Sequence, residues 1–391
     1  MSGIQHMYFD FHTFFRLAYL SLFKWRHTPS YLGIKYVFFW IGFFLIFPLF
    51  QLFNAVCFLL DEMIFPGYRK FEIKEPVFIL GNPRSGTTFI HRVMTMDEER
   101  FFYFKTWEIL FPAIIQKKII SFFGSIDQFF GNIGMKAIQR FESQFFHDFN
   151  KMHQTSLFYP EEDEILFMHI FSSPFIVYFF PFLDEFIPKL HFDQAIAPKD
   201  RRRIMKFYRN CIKRQAFFKG HGGHFLSKNP AFSPKIDSLY EFFPDCRIIY
   251  MARNPLEVIP AMQSLLHYVW HASSNIKEEY PFQEEVYQTT QLFYKYPLAR
   301  LERAPESSYL LINYEDLVSK PSQIVQKVYQ RFNFDITFKF LKILKEEEVK
   351  AKIYKSRHVY SLDQFNFTRE QIISDFREIF DQFGFSTRTV S

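Results

Sequence analysis

The chain has 391 residues, enough for one large α/β domain with an appendage or for two modest domains. Its net charge of +6 suits an anionic cofactor or a membrane surface and does not by itself argue for nucleic acid as a partner. Cys57, Cys211 and Cys246 stand far apart with no C-x-x-C pair, which excludes a readable disulfide framework or zinc site.

The first predicted elements are apolar. Tyr36–Leu60 runs without a charged residue and is long enough to cross a bilayer, although Pro48, Gln51 and Asn54 would kink or polarise it. A bent re-entrant or interfacial helix is the alternative. Arg16, Lys24, Arg26 and Lys35 lie upstream among aromatic residues, an interfacial pattern. The 57 phenylalanines fit either a biased genome or a lipid-facing surface. We expect residues 1–70 to form a helical, membrane-associating region and residues 71–391 an α/β domain.

From residue 71 strands and helices alternate. Val77–Leu80 is a short apolar run bounded by Pro76 and Gly81, and reads as a buried strand. Gly81, Gly86 and the Thr87-Thr88 pair have the spacing of a phosphate-binding loop, but the usual lysine after the second glycine is missing. A strand, a tight turn and a helix starting at Thr87 would aim N–H groups and a positive dipole end at one anion. Arg84 is the cation in that loop, which suits a less charged terminal group held without a metal. Further on, 167–183 reads as two short helices lining a greasy pocket, and 199–214 as a helix with Arg202, Lys206, Arg209 and Lys213 on one solvated face. Arg247–Ala252 reads as a second strand. Arg253 stands at its end and Pro255 starts a helix, so Arg253 faces the ligand edge of an open sheet. Two strand-end anion sites imply a ligand with two separated anionic groups.

These segments together resemble the sulfotransferases. "GNPRSGTTF" is similar to their 5′-phosphosulfate loop, "RIIYMARNPLEVIPAM" to their 3′-phosphate element, "FLSKNPAF" to the lysine-bearing segment and "INYEDLVSKP" to their Tyr-Glu-Asp-Leu segment. "RHVYSLDQFNFTREQI" looks like the C-terminus of a membrane-associated bacterial-type branch, and other motifs resemble the tyrosylprotein branch. The resemblance implies a P-loop-like parallel sheet flanked by helices, and 3′-phosphoadenosine 5′-phosphosulfate as donor, or its product adenosine 3′,5′-bisphosphate as bound nucleotide.

Residue by residue, the resemblance assigns Arg84, Ser85, Gly86, Thr87 and Thr88 to the phosphosulfate and Arg253 to the 3′-phosphate. Ala261 stands where the family has a serine, and Ser264, one turn on, is the nearest substitute. Tyr314 would meet the adenine, and Lys355, Arg357 and His358 would close over the nucleotide. Lys228 would act at the bridging oxygen and Glu108 as the base. Glu161, Glu162, Asp163, Glu164 and His153 are rivals for that role, whereas His91 is read as structural. The expected activity is sulfonate transfer to a hydroxyl or amine of an apolar or membrane-borne acceptor. Membrane lipid is the expected partner, and Golgi-type and mitochondrial membranes both fit. The alternative is a weak or inactive sulfotransferase-like subunit of a membrane protein assembly.

Overall fold

The computed structural model describes residues 8–25, 33–145, 156–220, 222–273, 280–353 and 362–387. Five strands form one parallel sheet: β1 (Val77–Gly81), β2 (Phe101–Phe102), β3 (His224–Lys228), β4 (Arg247–Ala252) and β5 (Tyr309–Asn313), in the order β2-β3-β1-β4-β5. β1 is central. Ile79 pairs with Lys228 on one side and with Ile249 on the other, and Ala252 pairs with Asn313. The strands expected at 77–80 and 247–252 are both present, as is the parallel α/β architecture.

Both faces of the sheet are buried, so its strands are apolar throughout and alternate between two cores. Val77, Ile79, Ile249 and Met251 pack under the helices Thr87–Met94, Pro321–Arg331 and Phe338–Ile353. Phe78, Leu80, Ile248 and Tyr250 pack against Pro198–Lys219, Ile236–Phe242, Pro255–Ser273 and Gln283–Leu301. Because every crossover returns in the same direction, the carboxyl ends of all five strands share one edge.

Two further layers sit outside this sandwich. Helix Ile34–Ile64 continues through Pro48 and lies lengthwise against the rest of the chain. Its Phe39, Phe43, Phe44 and Phe47 join Phe14, Phe171 and Phe180 in a separate aromatic cluster. The 167–183 stretch is built of short 3₁₀ turns (Asp163–Ile170 and Pro174–Tyr178) rather than α-helices, and its apolar side chains fill this cluster. Pro174 and Pro181 interrupt the backbone ladder there, which explains the short turns. The second layer is a helical hairpin, Ile114–Phe129 and Ile133–Phe145, whose outer part is exposed.

Candidate active site

The β1 loop depends on two glycines. Gly81 has φ +135°, and a Cβ there would lie 2.3 Å from the Met251 carbonyl oxygen on the neighbouring strand. Gly86 has φ +84°, and a Cβ would lie 2.7 Å from Cδ2 of Tyr314. The helix Thr87–Met94 starts directly after it, with Thr87 buried and Thr88 half-buried in the first turn. Inside the loop, Arg84 adopts a left-handed backbone (φ 69°) and the Ser85 N–H donates to the Asn82 carbonyl at 3.2 Å. The Ser85 hydroxyl is buried with no hydrogen-bond partner among the described residues. A buried hydroxyl without a partner, beside N–H groups at a helix start, fits an oxyanion ligand.

Arg253 follows β4, the next strand in the sheet, and ties this loop to β5. Its Nη1 donates to the Arg84 carbonyl at 2.9 Å, and its guanidinium sits 4.4 Å from the ring centroid of Tyr314. The structure therefore gathers Arg84, Gly86, Arg253 and Tyr314 from three adjacent strand ends. Arg253 also donates from Nε to Glu257 at 2.9 Å, an i,i+4 partner that was not singled out from the sequence although the Arg-x-x-x-Glu spacing shows it. Glu315 lies nearby, and burial together with the Glu257 charge raises its pKa. Ala261 is buried in the helix Pro255–Ser273. Ser264 is half-buried, about 13 Å along the axis from Pro255. Lys355, Arg357, His358 and His153 lie outside the described residues.

On the other side of β1, β3 ends in Lys228, which is fully buried. Its Nζ donates to Glu161 at 3.1 Å and to Glu162 at 2.8 Å. Burial opposes the ammonium charge, but Glu162 and Glu161 outweigh it and raise the pKa. The neighbouring acids face elsewhere. Asp163 accepts from the Tyr208 hydroxyl and from Ser227 Oγ at 3.0 Å, and burial pushes its pKa to about 7. Glu164 accepts from Lys235 at 2.7 Å and Asn229 at 3.2 Å. His91, buried on the loop helix, is driven down to about 3 by burial and then by the Lys228 charge, so it is neutral at physiological pH.

Glu108 sits in a different set of partners. It accepts from the Lys105 N–H at 2.8 Å and from Gln215 Nε2 at 2.8 Å, and it pairs with Lys219 at 2.7 Å. Gln215 in turn accepts from the buried Lys117 at 2.6 Å. Of the candidate carboxylates, Glu161 and Glu162 are the ones placed on Lys228.

Residues 76–337 match the Sulfotransferase family, about two thirds of the chain. The chain is similar to the omega-hydroxy-beta-dihydromenaquinone-9 sulfotransferases Stf3 of Mycobacterium bovis and Mycobacterium tuberculosis. Each is 23% identical over 324 residues, covering 80% of this chain and 76% of the relative. Its fold is similar to that of the sulfotransferase STF9 from Mycobacterium avium, with a TM-score of 0.68 at 18% identity over 84% of this chain and 82% of that one. The sulfotransferase STF1 from Mycobacterium tuberculosis gives a TM-score of 0.59 at 16% identity, with 83% of each chain covered. With its loop, its strand-end arginine and this extent of matching, the chain belongs to the sulfotransferase family and is a transferase.

Proposed function

We propose that the protein transfers a sulfonate from 3′-phosphoadenosine 5′-phosphosulfate to a hydroxyl of an apolar, membrane-borne acceptor. The observation that carries this reading is the buried Lys228–Glu161–Glu162 group at the end of β3, one strand from the Gly81–Thr88 loop. The bound nucleotide would supply the sulfonate on its 5′-phosphate. Ser85, Thr87 and Thr88 would hold that end, Arg253 the 3′-phosphate and Tyr314 the adenine. Arg84, on the loop, supplies charge toward the transferring group.

The new bond joins acceptor oxygen to sulfur, and the bond that breaks joins sulfur to the 5′-phosphate oxygen. The hydroxyl proton goes to a carboxylate, and negative charge collects on the 5′-phosphate. Lys228 is kept protonated by two carboxylates, so it can stabilise that charge without moving a proton first. Glu162 has the more exposed side chain of its two partners and is the assigned base, with Glu161 holding Lys228 in place. The lipid character of the acceptor is supported by the curated relatives, whose names specify a hydroxylated dihydromenaquinone.

The test is transfer of labelled sulfonate from the donor to the terminal hydroxyl of a hydroxylated polyprenyl quinone, with Lys228→Ala alongside. Wild-type transfer that the substitution lowers about 10²–10³-fold supports the reading. Nucleotide binding without transfer to any hydroxylated lipid overturns it and favours the structural-subunit alternative.

A further inference from the structure

The proposed acceptor is membrane-borne, and the surface that would meet the membrane can be read separately from the chemistry. Helix Ile34–Ile64 is about 46 Å long, more than enough to span a bilayer. Yet one whole side of it is committed to protein. Phe39, Phe43 and Phe47 pack into the aromatic cluster. Further along, Asn54 accepts from Gln116 Nε2 at 2.7 Å. Asp61 accepts from the Ile114 and Ile115 N–H groups at 2.8 and 2.9 Å and pairs with Arg214 at 3.1 Å. The opposite side is an exposed apolar stripe at helical spacing: Phe38, Ile41, Leu45, Leu49, Leu52 and Val56. A helix fixed along its length to a folded domain cannot cross a bilayer without taking the domain with it. It can lie in one leaflet.

The hairpin Ile114–Phe145 starts at the Asp61 end of that helix and projects from it. Its outer part carries Phe122, Phe123, Phe129, Phe130, Ile133 and Phe141, all exposed, with Phe129 86% accessible. A two-helix projection with this much apolar surface has no core of its own to bury it. Its charges are sorted. Asp127 is turned inward, accepting from the Gly134 and Met135 N–H groups at 2.7 and 2.8 Å. Glu142 is buried and accepts from the Leu157 N–H at 2.6 Å. The exposed charges left are Lys118, Lys136 and Arg140, all basic. Exposed phenylalanine and isoleucine flanked by exposed cations, with each acid occupied internally, is the complement of an anionic lipid leaflet.

We propose that the hairpin Ile114–Phe145 and the outer stripe of helix Ile34–Ile64 form one monotopic surface that inserts into a single leaflet of an anionic bilayer. It rests on the membrane-borne part of the functional reading and is independent of the sulfonate chemistry. The Phe129–Phe130 tip enters deepest, and the three cations stay at headgroup level.

The test uses the full chain with Phe130→Cys carrying an environment-sensitive fluorophore, the three native cysteines being buried. Vesicles of phosphatidylcholine and phosphatidylglycerol should shift its emission to the blue and allow quenching by lipid-borne quenchers. The same label at Lys339→Cys, exposed on another helix, should not respond. Replacing Phe122, Phe123, Phe129 and Phe130 by Ser should weaken vesicle binding at least about tenfold while transfer to a water-soluble acceptor persists. A label at 130 that stays in water while the chain floats with vesicles overturns the proposal. So does a blue shift that grows with protein concentration without lipid, which assigns the surface to a second copy. Loss of transfer with lipid insertion intact counts against the functional reading alone.

Discussion

Arg253 has a carboxylate partner where the functional reading needs a phosphate. Glu257 binds its Nε, and a 3′-phosphate must share or displace that contact. Ala261 supplies no compensating hydroxyl, and one lost hydroxyl–phosphate bond costs roughly 1–3 kcal/mol. Arg253→Ala should therefore weaken 3′-phosphate nucleotides by about 1.5–3 kcal/mol while leaving nucleotides without that phosphate unchanged. Glu257→Gln should act in the opposite direction, tightening the 3′-phosphate nucleotide by about threefold to tenfold. Calorimetry with matched nucleotides checks both, and equal affinities in all combinations would refute the assignment. The carboxylates separate by rate. Lys228→Ala should lower kcat about 10²–10³-fold with donor affinity nearly kept. Glu162→Gln should lower it about 10²–10⁴-fold if it takes the proton. Glu108→Gln is the comparison. Its ties to Lys105, Gln215 and Lys219 give it a structural duty, so a change in thermal stability rather than in kcat is expected.

At the scale of elements, the long helix is joined to the transferase core by buried polar groups, and these set its stability. Asp61 caps the hairpin helix at Ile114 and Ile115 and faces Arg214, whose side chain is almost fully buried. Asp61→Ala leaves Glu62 as the arginine's remaining carboxylate, and should cost roughly 3 kcal/mol in chemical denaturation, near the low end for breaking a buried pair. His169 works at the same seam. Its Nε2 donates to the Ile109 carbonyl at 2.8 Å, and Asn54 approaches Nδ1 at 3.3 Å. Burial lowers its pKa to about 4. The unfolded chain takes up this proton below about pH 6.5 and the native one resists it until about pH 4. Stability should therefore fall as pH drops across that window. His169→Gln keeps a donor for Ile109 and should flatten this limb of the Tm–pH curve; an unchanged slope would show that His169 does not drive it.

The same seam marks what a sequence conveys. β1, β4 and the helix starts at Thr87 and Pro255 were legible because apolar runs, Gly, Pro and Arg sit within a few neighbouring positions. Asp61, Arg214 and Ile114 meet only through the tertiary fold, across more than fifty residues each, so nothing local announces them. The acidic run at 161–164 was visible as a charge cluster. Its division into two groups on Lys228, one on Tyr208 and one on Lys235 follows from a non-helical backbone at Glu161 and Glu162 that turns into a 3₁₀ segment at Asp163, and from distant partners, neither of which periodicity encodes.

For the whole molecule, the functional reading asks the sheet edge and the apolar outer surface to serve the two substrates of one reaction. The Gly81–Thr88 loop, Lys228 and Arg253 stand at the carboxyl ends of neighbouring strands of the sheet, the edge at which the functional reading places the nucleotide. A polyprenyl acceptor partitions almost entirely into lipid, so a transferase lying in one leaflet would meet it by diffusion in two dimensions. The rate should then follow the acceptor's mole fraction in the bilayer and not its bulk concentration. With total acceptor, enzyme and donor fixed, added phosphatidylcholine and phosphatidylglycerol should slow transfer roughly in proportion to the dilution, once all enzyme is vesicle-bound. A short-chain, water-soluble analogue should be transferred at a rate indifferent to that lipid. Replacing the four hairpin phenylalanines by Ser should remove the first dependence and leave the second rate intact. If transfer to the long-chain acceptor tracks bulk concentration at every lipid ratio, the enzyme draws its acceptor from solution, and the membrane surface serves only as an anchor.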